Sequence, residues 1–307
     1  MQIGDREVEI HRRDKVLFPD DGITKGDLVD YYADVAAVVL SHLRDRPVGL
    51  ERWPDGLDGE GFVQRDTPDH FPDWIGTVEF PRRTEGSFDA PLVESAAALV
   101  YLADQAVITP HAYLARRDDL RRPDRMIFDL DPPADTRDFD VVRRAALGLH
   151  DLLEDLDLPS WVQTTGSKGF HVVAPLDRGA RFDAVREFAT DVARVLVGSD
   201  GDAFTLAQRK ARRGDRVFLD TMRNTYAATA VTPYAVRART GAPVATPLDW
   251  DEVRDGADPR DWTLRSIPRR LDQKEDPWAG MARHARGLDG RREELDAMLD
   301  RAESSGR

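Results

Sequence analysis

Arg125-Met-Ile-Phe-Asp-Leu-Asp131 runs directly into Pro132-Pro133, and the reading of this stretch decides the fold. Met126, Ile127, Phe128 and Leu130 make a short apolar run, and the prolines after it cannot donate to a sheet ladder, so the segment reads as a strand that stops at Pro132. Residues two apart on a strand share a face, which puts the carboxylates of Asp129 and Asp131 side by side at its end. Two converging acids call for a cation. Taken alone, the pair also reads as the cap of a turn before the prolines. The same D-x-D pattern occurs in dehalogenase-like phosphatases and in glycosyltransferases.

Outward from this strand, helices and strands alternate. On its C-terminal side an amphipathic helix is expected over 138–156, then strands at 161–165 and 170–174 joined by Gly166-Ser-Lys-Gly169. A helix over about 183–197 and strands at 216–220 and 234–238 follow. On the N-terminal side, Thr24-Lys-Gly-Asp27 is a capping-box-like start, and Leu28, Tyr31, Tyr32, Val35, Val38 and Val39 recur at helical spacing, predicting a helix over about 25–43. A strand at 48–53 ends in the turn Pro54-Asp-Gly56, and an Ala/Leu stripe predicts a second helix over 94–105. Strands mixed with helices around a tight hairpin favour an α+β fold with mixed or antiparallel sheets over a doubly wound one. From about 285 onward the chain reads as a charged helix that frays into a tail.

The 307 residues carry 57 acidic against 44 basic side chains, a formal charge of −13, and 41% hydrophobic residues suffice for a sizeable core. No apolar run spans a bilayer and Met1-Gln-Ile-Gly-Asp5 begins no signal peptide, so a cytoplasmic protein without membrane contact is expected. The absence of cysteine excludes disulfides, thiolate metal sites and a cysteine nucleophile, so any metal is expected to be hard and oxygen-ligated. The net charge argues against non-specific nucleic-acid binding by the whole surface while leaving room for a local basic groove. Such a stripe exists between 205 and 239, where Arg209, Lys210, Arg212, Arg213, Arg216, Arg223, Arg237 and Arg239 face only Asp215 and Asp220.

Thr165-Gly-Ser-Lys-Gly-Phe-His171 combines two glycines that let backbone N–H groups approach an anion with a hydroxyl, an ammonium and an imidazole. The Walker order is absent, and alone the segment reads equally as a plain glycine hairpin. Asp220 ends the strand Val217-Phe-Leu219 and is a candidate third carboxylate. Together these are the parts phosphoryl transfer requires: acids for two divalent ions, a glycine hairpin with Ser167, Lys168 and His171 for a polyphosphate, and arginines for the remaining charge.

In order and content, Phe128-Asp-Leu-Asp-Pro132, Thr165-Gly-Ser-Lys-Gly-Phe-His171 and Val217-Phe-Leu-Asp220 resemble the three motifs of the archaeo-eukaryotic primase superfamily. More closely, the chain resembles the polymerase-domain family of bacterial ATP-dependent DNA ligase D, which serves non-homologous end joining. The likeness runs from about Lys15 to Pro247. It includes Lys15-Val-Leu-Phe-Pro19, Gly22-Ile-Thr-Lys-Gly-Asp27, Arg52-Trp-Pro-Asp-Gly56, Gly59-Glu-Gly-Phe-Val-Gln64 and Pro233-Tyr-Ala-Val-Arg237.

The resemblance implies a primase-polymerase domain over 1–284, with a DNA-end-binding part at 1–120, a catalytic core at 121–250 and the tail at 285–307. It implies Asp129, Asp131 and Asp220 as ligands of two Mn²⁺ or Mg²⁺ ions. It implies Ser167, Lys168, His171, Arg52 and Arg237 around an NTP or dNTP, with ribonucleotides preferred. Lys15 and Lys25, two of only five lysines, match positions that grip a 5′-phosphate of DNA, and Phe62 matches a platform for a template base. A monomer near the nucleoid is expected, and, with no ligase or nuclease module in the sequence, a free-standing polymerase domain whose Ku and ligase partners are separate proteins.

This sequence departs from the family at Val63, where a second aromatic is common, at Arg65 in place of a usual lysine, and at Thr221. Counterion release also predicts weak DNA binding by so acidic a chain unless the 5′-phosphate contact dominates. The alternatives are a replicative primase, a D-x-D phosphohydrolase with Asp129 as nucleophile, and an inactive end-binding module.

Overall fold

In the computed structural model, which describes every residue but 83, 134, 135, 137, 138, 306 and 307, the chain divides into two units. The first comprises Met1–Leu120, Thr229–Thr246 and Arg260–Asp276, and the second Arg121–Ala228, Pro247–Pro259 and Pro277–Arg307. Residues 229–246 thus belong to the first unit and the C-terminal segment to the second.

In the first unit the capping box forms. The Thr24 hydroxyl accepts the Asp27 N–H at 3.2 Å while the Asp27 carboxylate accepts the Thr24 N–H at 2.7 Å. The expected single helix over 25–43 is two, Lys25–Asp34 and Ala36–Leu43, broken at Val35 with φ −94° and ψ 6°. Val35 N–H still reaches Tyr31 O and Val39 N–H still reaches Val35 O, so the apolar spacing runs through the break unchanged. A third helix, Ala96–Asp104, starts where the Ser95 hydroxyl accepts the Ala98 N–H. These helices share a core of Leu28, Val29, Tyr32, Val39, Leu99 and Val100 with Val48, Leu50 and Ile108 of the sheet. That sheet is antiparallel, in the order Thr229–Val231, Val107–Tyr113, Val48–Arg52, Phe62–Gln64.

The strand expected at 234–238 is instead a turn. Tyr234 takes a left-handed φ of 63°, and only Val236 makes an isolated bridge, to Val244. The strained conformation is held from three sides: the Tyr31 hydroxyl donates to Tyr234 O, the Tyr234 hydroxyl donates to Asp276, and Tyr234 N–H donates to Ala245 O. The apolar run Tyr234-Ala-Val236 that suggested a strand is buried on a fixed turn.

The second unit is built on a six-stranded sheet in the order Phe204–Thr205, Val217–Asp220, Arg125–Asp131, Phe170–Pro175, Trp161–Thr164, Pro247–Leu248. Its pairings are antiparallel except the first, which is parallel, so the expected mixed α+β architecture is present. Helix Asp140–Asp155 buries Val142, Ala145, Leu149 and Leu153, the apolar stripe of an amphipathic helix; the expected start at 138 lies outside the described residues. Phe182–Ser199 is the other long helix. Against it packs the helix Arg292–Ser305, in the segment expected to be a charged helix that frays: Leu295 and Met298 are buried, and Arg292 pairs with buried Asp191 at 2.7 Å. Among the described residues no helix is long and apolar enough to cross a membrane.

Candidate active site

Register brings the three acids of the second unit to one face. Asp129 lies directly opposite Asp220 on one neighbouring strand and opposite His171 on the other, and Asp131 follows two residues along. The hairpin that carries Ser167 and Lys168 is pressed against the same stretch: a Cβ at Gly169 would lie 2.0 Å from Leu130 O, so only glycine fits between the two acids' strand and this loop. Thr165 closes the loop, its N–H donating to Gly169 O at 3.0 Å, with Gly166 at a left-handed φ of 61°.

The electrostatics are divided. Asp129 is buried, which alone would disfavour its charge, yet His171 Nε2 at 3.4 Å and Arg223 Nε at 3.1 Å hold its carboxyl well below the usual range. Asp131 is pushed up to about 6 by burial and by the like charges of Asp129 and Asp220, against a weaker pull from Arg213 at 3.9 Å. Asp220 is raised too, by burial first and then by Asp129, although it accepts the Met222 N–H at 2.7 Å. Three carboxylates with an unbalanced negative charge, an imidazole beside them and no sulfur form a donor set that suits a hard divalent cation. Among the described residues no three acids or histidines stand at single-ion spacing, and Arg223 lies 3.1 Å from Asp129 and Arg213 3.9 Å from Asp131.

Arg223 and Arg213, named in the sequence only as members of a basic stripe, and Gln163 and Asn224, not singled out there, complete the site. Gln163 Nε2 lies 3.3 Å from His171 Nδ1 and fixes the ring. Asn224 is fully buried, and its amide accepts the Ile127 N–H and donates to Ile127 O and Thr221 O, as a neighbouring strand would. Arg213 stacks over Phe218 with its guanidinium carbon 3.7 Å from the ring centroid and donates to Ala207 O and Gln208 O. For the two arginines the available signal was their place in the charge-reversed stripe around Asp220; Gln163 and Asn224 had none.

The remaining candidates belong to the first unit. Arg52 ends a strand, donates to Gln64 Oε1 at 2.8 Å and Gln105 O at 3.0 Å, and lies 5.7 Å from the Phe62 ring. Phe62 and its neighbour Val63 are exposed at 47% and 58%, so Phe62 does not pack in the core. Arg237 lies near Glu51, whose carboxyl is brought down to about 2 against its burial, by His111 and Trp53 and by the arginine's charge.

Lys15 and Lys25 are backbone neighbours, Lys25 N–H donating to Lys15 O at 2.8 Å, and each ammonium already has an acid. Lys15 meets exposed Asp55 at 2.9 Å, whereas Lys25 is buried on Asp104 at 2.7 Å, with His11 on the other carboxylate oxygen. Burial would raise the Asp104 carboxyl, and the hydrogen bonds from Lys25 and His11 bring it below its ordinary value. Lys25→Met therefore strands a buried carboxylate and should cost about 3–5 kcal/mol, with Asp104→Leu in the same background restoring most of it. Thermal denaturation of the single and double variants checks this.

Acids from neighbouring strands of a mixed sheet, abutting a glycine hairpin, define a primase-polymerase core. The family model for the LigD primase-polymerase domain matches residues 24–278, and the chain belongs to that family. It is 32% identical over 96% of its length to the multifunctional non-homologous end joining protein LigD of Pseudomonas aeruginosa and 33% identical over 82% to that of Mycobacterium tuberculosis. The bifunctional LigD of Bacillus subtilis is 28% identical over 86%. The chain spans about a third of the Pseudomonas and Mycobacterium relatives, 34% of each. Among solved structures, the polymerase domain of Mycobacterium tuberculosis ligase D in complex with DNA matches with a TM-score of 0.85 and 30% identity, over 92% of this chain and all of that one. The family is metal-dependent.

Proposed function

We propose that this chain is a template-directed nucleotidyltransferase that fills gaps and extends broken DNA ends during non-homologous end joining. The observation that carries the reading is the register that sets Asp129 opposite both Asp220 and His171, with Asp131 on the same face and Gly169 packed on Leu130 between them. In the reaction a primer 3′-oxygen bonds to the α-phosphorus of the incoming nucleotide and pyrophosphate leaves. Two divalent ions, Mn²⁺ or Mg²⁺, held by Asp129, Asp131 and Asp220, would supply the charge that activates the hydroxyl and steadies the leaving group. Ser167, Lys168 and His171 hold the triphosphate, and Arg52 and Arg237 add cationic contacts to it. Ribonucleotides are the favoured substrates, and Ku and a ligase act as partners on the nucleoid.

Lys15 and Lys25 receive the 5′-phosphate of the downstream strand, and Lys15, on its exposed partner, is the one whose role can be isolated from folding. Phe62 stacks on a template base. Since it is exposed, Phe62→Ala should shift stability by less than about 0.5 kcal/mol while weakening binding to a templated gap by about 1–3 kcal/mol. Fluorescence anisotropy with a gapped duplex, beside a melting curve, checks both.

The deciding experiment is primer extension on a gapped duplex bearing a 5′-phosphate, with Mn²⁺ and each NTP or dNTP, comparing wild type with Asp129→Ala and Lys15→Ala. Templated addition with pyrophosphate release, lost in Asp129→Ala and stripped of 5′-phosphate preference in Lys15→Ala, is expected. Release of inorganic phosphate would make the protein a phosphohydrolase, and binding without addition an end-binding module.

A further inference from the structure

We propose that Arg223 is a resident stand-in for the divalent cation at Asp129, a guanidinium that must leave before metal can enter. This rests on the assignment of Asp129 as a metal ligand. Both oxygens of that carboxylate are engaged, Oδ1 with His171 at 3.4 Å and Oδ2 with Arg223 at 3.1 Å, and the side chain is 7% exposed. A cation arriving at Asp129 competes with a charge-assisted hydrogen bond.

The surroundings allow the exchange. Arg223 sits on the single turn Met222–Asn224, whose backbone is pinned by the Asn224 amide to Ile127, so the turn stays while the side chain moves. The Arg223 side chain is 43% exposed and so has a way out to solvent. Arg213, by contrast, is tied to Ala207 O and Gln208 O, stacked on Phe218 and 3.9 Å from Asp131. It stays as a fixed charge. A displaced guanidinium seeks an anion, and an incoming polyphosphate supplies one, so metal and nucleotide enter more favourably together than apart. Arg223 is thus a positioning residue that keeps the acids assembled and holds metal affinity low until substrate arrives.

The test is Mn²⁺ binding without nucleotide or DNA, followed by the loss of the free-ion paramagnetic resonance signal, for wild type, Arg223→Gln and Arg223→Lys, with circular dichroism as the check of fold. Arg223→Gln should bind Mn²⁺ about tenfold more tightly than wild type, the equivalent of one charge-assisted hydrogen bond no longer opposed. Arg223→Lys keeps the charge on a shorter, single-point donor. It should bind about threefold more tightly than wild type, and it carries the test if Arg223→Gln does not fold. Equal or weaker binding by folded variants overturns the inference, because the arginine would then organise Asp129 for metal. Absence of Mn²⁺ binding in every folded form overturns the metal assignment itself, and Asp129→Asn in the Arg223→Gln background should abolish the tight site.

Discussion

Asp131→Asn should lower templated nucleotide addition on the order of 10³-fold or more while raising the thermal midpoint above neutral pH. On the proposed function the activity loss follows from removing one of three carboxylates from a site where bound metal would supply several kcal/mol of stabilisation. The stability gain follows from the charge that the acid carries at a cost. Its carboxyl is pushed up to about 6 by burial and by Asp129 and Asp220. Between its ordinary value near 3.8 and 6 the folded chain therefore binds more protons than the unfolded one, so stability falls as pH rises through that window. Above it the whole penalty is present. Asparagine removes the penalty, by on the order of 1 kcal/mol once solvent screening of a half-exposed carboxylate is counted. Melting curves of wild type and Asp131→Asn at pH 4 and pH 8 without divalent ions should nearly coincide at the lower pH and separate at the higher. A variant less stable than wild type at pH 8 would show that the contact with Arg213 outweighs the repulsion.

Such a trade of stability for function explains why the acids were legible in the sequence. Asp129 and Asp131 end an otherwise apolar strand, and no core requirement puts two carboxylates there. The hairpin was legible for a similar reason, since Gly166 and Gly169 bracket two polar residues, Ser167 and Lys168, with no apolar pattern of their own. What escaped depends on partners distant in sequence. Lys25 reads as a free ammonium at a helix start, and only the fold brings Asp104, 79 residues away, onto it. Tyr234 reads as a strand residue, and its left-handed turn is imposed by Tyr31 and Asp276. Arg223 was visible only as part of a basic stripe, because a guanidinium on Asp129 is set by strand register, which no local pattern encodes.

Gly169→Ala should disrupt the site and the fold together. The added Cβ would stand 2.0 Å from Leu130 O and 3.1 Å from Leu130 C, both backbone atoms. Leu130 cannot retreat, since it is fully buried and paired with Leu219 on one side and Phe170 on the other. The hairpin must yield instead, which breaks the Thr165–Gly169 closure and the Leu130–Phe170 pairing. Overpacking of this kind costs about 1–3 kcal/mol and more where backbone meets backbone. The displaced loop carries Ser167 and Lys168, and His171 follows two residues behind, so nucleotide addition should fall at least about 10²-fold, as when substrate-positioning groups shift by an ångström. Gly166→Asn is the control. Gly166 is a glycine for its φ of 61°, a conformation asparagine tolerates, so this variant should keep most of its stability. If Gly169→Ala melted like Gly166→Asn, the contact with Leu130 would be one the chain relaxes at little cost, and the demand for glycine at 169 would lie with the bound nucleotide.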